Sequence, residues 1–179
     1  GAISATGAWT LVGVASGVFV AVAFWLNSLC GMLSPLVLAI LLGYSYAKRF
    51  TSMVHLWLGV SLGLAPLGAW LAVRGDFQGD ILQPLLLAGA VLTWVAGFDL
   101  IYSCQDAAFD KSRGLHSIPA RFGRAFSLRA SIALHMVTVG ALICLALRAD
   151  LSWIFGTTIV VAALLLIWEH SIVSPSDLS

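Results

Sequence analysis

Leu82-Gln83-Pro84-Leu85-Leu86-Leu87-Ala88-Gly89-Ala90-Val91-Leu92-Thr93-Trp94-Val95-Ala96-Gly97-Phe98-Asp99-Leu100-Ile101-Tyr102 carries one charge, Asp99, and that charge lies near its end. A membrane-spanning helix needs about 20 largely apolar residues, and this run supplies them. Working outward, five further runs of the same kind follow, at roughly 7–27, 31–46, 53–73, 128–148 and 152–168. The second and sixth are short. They are expected to begin deeper in the bilayer or to share a tight hairpin with a neighbour. Turn or polar signals separate the runs: Asn27-Ser28, Lys48-Arg49, Gly75-Asp76, Gly79-Asp80, Gly114 and Ala149-Asp150. Pro35 and Pro66 lie within spans and predict kinks.

The composition agrees. Of 179 residues, 60% are hydrophobic and 9% are charged, where a soluble domain has about 25% charged. The mean hydropathy is +1.01. So little charge cannot cover so much apolar surface in water. A disordered chain, a nucleic-acid-binding module and an ordinary soluble enzyme are excluded. The fold class is all-α: a polytopic transmembrane helix bundle of about six helices, forming a single domain over 1–179. Cys30, Cys104 and Cys144 are odd in number and far apart, so they point to neither a zinc site nor a disulfide framework.

Net charge is only +1, but its distribution is informative. Lys48 and Arg49 lie in one loop; Lys111, Arg113, Arg121, Arg124 and Arg129 lie in or beside another on the same side. The opposite side has Arg74 and Arg148. The positive-inside rule makes the long loop and both chain ends cytoplasmic. The expected location is a bacterial inner (cytoplasmic) membrane. The sequence does not indicate an oligomeric state.

The most informative polar stretch runs from Phe98 to Ser117. Asp99 is a carboxylate at a membrane edge, which is costly and marks a functional site by default. If the helix continues past Tyr102, then Asp99, Ser103, Asp106 and Asp110 follow steps of four, three and four and share one face. Three carboxylates on one stripe repel one another. A divalent cation gives a reason to align them, because Mg²⁺ takes hard oxygen ligands and leaves positions for water and phosphate. Lys111, Arg113, Arg121 and Arg124 follow at once. Carboxylate-held Mg²⁺ beside Lys and Arg suits a diphosphate. Tyr44 and Lys48 form a second cluster, four residues apart on one helix face. Interfacial anchoring also explains that cluster. His55 and His116 lie near the same edge, and a lone His is more often a satisfied polar contact than a catalyst.

The motif Asp99-x-x-Tyr102-x-x-x-Asp106-x-x-x-Asp110-x-x-x-Gly114-x-x-Ser117 resembles the second aspartate-rich motif of the UbiA-type intramembrane prenyltransferases. Tyr44-x-x-x-Lys48-Arg49 resembles the Tyr/Lys motif of an earlier helix of that family. The run from Gln105 to Gly123 is similar to the quinone-pathway branch. The resemblance implies six helices of a nine-helix fold. It also implies that two leading helices, the first aspartate-rich motif and a last helix lie outside the chain, which corresponds to the middle of a longer protein.

The implied activity is Mg²⁺-dependent transfer of a polyprenyl group from a polyprenyl diphosphate to an aromatic ring. The implied acceptor is 4-hydroxybenzoate or a dihydroxynaphthoate, in ubiquinone or menaquinone biosynthesis. Asp106 and Asp110, supported by Asp99, are the implied metal ligands and catalytic carboxylates. Lys48, Lys111 and Arg113 are implied to bind the diphosphate, with Tyr44 and Tyr102 orienting it. The implied partners are those two substrates and the lipid bilayer, with no nucleic acid. Two other readings remain open. One is a different intramembrane Mg²⁺-dependent transferase, such as a phosphatidyl-alcohol transferase. Asp106-Ala107-Ala108-Phe109 lacks the Gly-x-x-Ala-Arg that such enzymes carry after the aspartate. The other is a transporter or ion-pathway protein with Asp99 as a relay, which predicts charged residues deep in several spans.

Overall fold

The computed structural model describes residues 4–174. Six of its helices are long and apolar enough to cross a membrane: α1 (Ala5–Leu26), α2 (Ser28–Ala47), α3 (Val54–Arg74), α4 (Leu82–Ser103), α7 (Arg124–Arg148) and α8 (Trp153–Ile172). Two short helices, α5 (Ala107–Ser112) and α6 (Ile118–Phe122), fill the long loop between α4 and α7. The chain is an integral membrane helix bundle, as the apolar runs predict. The expectation that both chain ends share a side falls partly on residues 1–3 and 175–179, outside the described residues.

The two short predicted spans both prove longer than their apolar runs, and α7 starts four residues early, at Arg124. The second extends to Ser28–Ala47 because one residue makes the whole α1–α2 turn. The Asn27 side-chain oxygen accepts from Cys30 N at 2.8 Å, capping α2. Its amide nitrogen donates to Leu71 O at 2.9 Å and Ala72 O at 3.3 Å, tying that turn to the end of α3. The sixth extends to Ile172 because His170 finds a partner within the bundle: His135 Nδ1 and His170 Nε2 are 2.9 Å apart. Glu169 thereby falls inside the last helix. Both α2 and α3 run unbroken through Pro35 and Pro66.

The packing follows membrane logic. Trp25 and Val73 are each 88% exposed, where lipid would cover them. The core is built from small residues, including Ala47, Ala88, Ala90 and Ala96. Without a strong apolar driving force in lipid, small residues allow close approach and polar side chains hold helices together. On α3, Gly59 and Gly63 lie against the Leu92 and Ala88 carbonyls of α4. On α7, Ser131 Oγ donates to Gly97 O of α4 at 2.7 Å. His135 Nε2 sits 3.3 Å from Trp94 O, and Thr138 Oγ1 lies 2.7 Å from Thr93 Oγ1. Helix α4 is therefore held from both sides, and its end carries Asp99.

Candidate functional site

The site forms where α2 and α4 end and α3 begins. Lys48 caps α2 and reaches Asp110 of α5: Nζ is 3.3 Å from Oδ1 and 3.1 Å from Oδ2. Asp110 is only 2% exposed, whereas Lys48 is 35% exposed. The carboxylate is thus buried beneath a cation that still reaches solvent. The backbone fixes this pair. His116 N donates to Lys48 O at 2.7 Å, and Leu115 N donates to Asp110 O at 2.8 Å. Gly114, at φ +65, supplies the left-handed turn between them.

A second pair stands beside the first. His55 Nδ1 is 2.7 Å from Asp99 Oδ2, and His55 is fully buried. Its Nε2 accepts from Ile118 N at 3.4 Å, so the ring proton sits on Nδ1 and is donated to Asp99. Tyr44 lies one turn before Lys48, within electrostatic reach of both Lys48 and Asp99. The structure therefore brings Tyr44, Lys48, Asp99 and Asp110 together. Sequence reasoning had weighed His55 as a polar contact, and the structure makes it the clamp on Asp99. Its position just after the Lys48 loop was the available signal.

The single-face stripe of carboxylates does not form. Helix α4 stops at Ser103, so the four-three-four spacing is interrupted before Asp106. Ser103 Oγ and Cys104 Sγ both turn back to Leu100 O, at 2.9 and 3.3 Å. Arg124 Nε donates to the freed Cys104 O at 3.1 Å. Burial pushes the Cys104 thiol above its ordinary value, against smaller opposing effects of Ser127 and Arg124. Asp106 instead starts α5, exposed and without a side-chain capping bond. Among the described residues, no group of three or more His, Cys, Asp or Glu lies close enough to hold a metal ion.

Three other candidate residues lie outside the cluster. Tyr102 is 57% exposed and rests on Phe98, with ring centroids 5.0 Å apart. Arg113 stacks over Phe109 at 5.5 Å. Lys111 points to a different, cationic pocket on the loop side.

An apolar cavity of about 640 Å³ runs along α1, α2 and α3. At one end lie Leu71 and Phe77; Ile40 and Ser61 line its other end. Ile40 O accepts the Trp57 indole N–H at 2.8 Å, and Tyr44 is one helical turn further along α2. A long apolar chamber therefore approaches the charged cluster.

Residues 1–179 match the UbiA prenyltransferase family over their whole length. The chain belongs to that family. It is 30% identical to the mitochondrial 4-hydroxybenzoate polyprenyltransferase of Arabidopsis thaliana, over 86% of this chain and 36% of that protein. It is 33% identical to the 4-hydroxybenzoate octaprenyltransferase of Xanthomonas oryzae, over 96% of this chain and 56% of that protein. The apo structure of a UbiA homolog from Aeropyrum pernix K1 superposes with a TM-score of 0.87 at 40% identity, covering 96% of this chain and 64% of that one. The chain thus spans between about a third and just over half of these curated UbiA relatives. That fold likeness matches the all-α bundle read from the apolar runs.

Proposed function

We propose that this chain carries the diphosphate-binding part of an intramembrane aromatic prenyltransferase. The reaction is transfer of a polyprenyl group from a polyprenyl diphosphate to an aromatic acid in quinone biosynthesis. One observation carries the reading: Tyr44, Lys48, Asp99 and Asp110 converge at a membrane edge, one helical turn from the end of an apolar cavity. A diphosphate head needs cations, and its tail needs a dry channel.

Lys48 binds diphosphate oxygens, and buried Asp110 holds its ammonium in place. Asp99, oriented by His55, supports the electrostatics without touching the head group. Tyr44 donates its hydroxyl to the diphosphate. Mg²⁺ commonly takes one or two carboxylates and leaves its other positions to phosphate and water. Asp106, exposed and without a capping bond, would be one such carboxylate; Asp110 and Asp99 would join it only by sharing oxygens with Lys48 and His55. When bound, Mg²⁺ would supply positive charge to offset that of the diphosphate. The allylic C–O bond breaks, pyrophosphate leaves with the electron pair, a ring carbon attacks, and the ring proton is lost. Lys48 stabilises the leaving charge. The apolar walls keep water from the allylic centre. The names of the relatives favour 4-hydroxybenzoate over a dihydroxynaphthoate as acceptor. The Lys48 and Asp110 edge faces the cytoplasm in this reading. The transporter reading predicts charged residues deep in several spans, whereas the ion pairs among the described residues gather near the span ends.

Membranes carrying the full-length protein that contains this chain would receive Mg²⁺ and a polyprenyl diphosphate, with 4-hydroxybenzoate and 1,4-dihydroxy-6-naphthoate offered separately. Mass spectrometry is expected to find a prenylated 4-hydroxybenzoate that disappears with chelator. Product from the naphthoate alone would move the acceptor assignment. No product from either, with folded protein, would overturn the proposal.

A further inference from the structure

A pocket of about 430 Å³ lies between the α2–α3 loop and the α5–α6 segment. Lys48, Asp99 and Asp110 are not among its lining residues; Lys111, Arg121 and His116 are. No carboxylate lines it. Among the described residues Lys111 has no carboxylate within ion-pair distance, so its charge is unanswered. Arg121 is stacked over Phe122 at 5.2 Å, which restrains the guanidinium.

The second observation is Ser52. It is 5% exposed, lines this pocket, and its Oγ is the one buried side-chain oxygen without a partner among the described residues. Buried hydroxyls are nearly always bonded, so an orphan in the wall of a pocket that Lys111 and Arg121 also line calls for an acceptor. The walls are fixed by the bonds from His116 N to Lys48 O and from Leu115 N to Asp110 O. Five of its eight lining residues are polar or charged, and its apolar surface is far smaller than that of the cavity along α1–α3.

We infer that this pocket is a second phosphate site, where Lys111 and Arg121 pair with a tailless phosphate anion and the Ser52 hydroxyl donates to one of its oxygens. Given the prenyl transfer proposed above, on which this assignment rests, the anion is inorganic pyrophosphate on its way out. Lys111 directly follows Asp110, so the pocket adjoins the place where pyrophosphate is released. A lipid phosphate shares the chemistry and is the competing source.

The test uses the full protein in phosphatidylcholine nanodiscs, titrated with inorganic pyrophosphate by calorimetry, beside Arg121→Gln and Ser52→Val variants. Arg121 is an exposed residue in the last turn of the short helix α6, outside the transfer site, so its variant is expected to fold. Each variant is expected to weaken pyrophosphate binding by about tenfold and to relieve product inhibition, with KM for the prenyl diphosphate unchanged. Unchanged pyrophosphate affinity in Arg121→Gln would overturn the site, as would absence of binding to the unaltered protein. Loss of pyrophosphate binding when phosphatidylglycerol replaces part of the lipid would assign the pocket to a lipid headgroup instead. Arg121-dependent pyrophosphate binding in a protein that transfers no prenyl group would sink the proposed function and leave the phosphate site standing.

Discussion

His55 has two ring nitrogens, and both are committed. Nδ1–H serves Asp99, and Nε2 serves the Ile118 amide. His55→Phe keeps a ring of similar size but strands both partners. Each buried polar group left alone costs about 1–3 kcal/mol. The variant is expected to unfold at clearly lower temperature in detergent and to lose turnover, because Asp99 is no longer held. An unchanged midpoint would mean that water replaces the imidazole. Asp106 makes the opposite case. It is exposed and its side chain does not cap α5, so Asp106→Asn should leave the fold intact and abolish turnover, readable as a normal melting curve with no product. Cys104 adds a pH signature. Its folded thiol titrates above the ordinary 9.0 because it is buried. The folded protein therefore holds that proton more tightly than the unfolded chain. Its stabilising contribution is whole below pH 9.0 and is lost as pH rises through the folded value. With Cys30 and Cys144 replaced by Ser, alkylation of Cys104 should be slow at neutral pH and accelerate only in strong alkali. Rapid labelling at neutral pH would show that the α4 end opens.

Between elements, α4 depends on glycine contacts with α3. A Cβ on Gly63 would meet Ala88 O at 2.8 Å, while one on Gly140 of α7 would meet nothing within 4 Å. Gly63→Leu is therefore expected to pry α3 from α4 and cost about 1–3 kcal/mol. Gly140→Leu should be close to neutral. Equal effects in a detergent melt would discount the close approach. These contacts also mark how far the sequence could be read. Six spans were legible because length and hydropathy alone define them. Which faces meet was not, because an evenly apolar helix gives no periodicity to follow. Asn27 looked like a polar break, and only the structure shows it capping one helix and tying down another. The carboxylate spacing was read as one stripe because spacing cannot reveal where a helix stops. Ser103 and Cys104 bonding back to Leu100, with Arg124 taking the next carbonyl, stop it there. The Tyr44, Lys48, Asp99 and Asp110 set was still legible, since those residues sit at helix ends on one side of the membrane.

Across the whole molecule, the ion pairs among the described residues gather at the two membrane edges, and apolar volume with a few neutral polar contacts lies between them. On the edge away from the site, Arg148 pairs with Asp80 at 2.8 Å and joins the α3–α4 loop to the end of α7. On the site edge, Lys48 and His55 gather the α2, α3, α4 and α5 ends. The cavity along α1–α3 lies between these levels, and in the proposed reaction its length would set how much prenyl tail can be buried. Burial is worth about 0.8 kcal/mol per CH₂, so each added isoprene unit gains affinity until the wall is reached. Gly68 lines that cavity, and a Cβ there would meet nothing within 4 Å. Gly68→Phe should therefore fill the chamber without disturbing the bundle. Gly68 is about two turns from Ser61, at the cavity end nearest Tyr44, so a short prenyl chain should still fit above the new ring. The expected outcome is a loss in kcat/KM of about tenfold or more for long polyprenyl diphosphates, with geranyl diphosphate used nearly as before. A proportional loss for both would mean that the ring damages the charged site. No loss for either would place the tail along another face of the bundle.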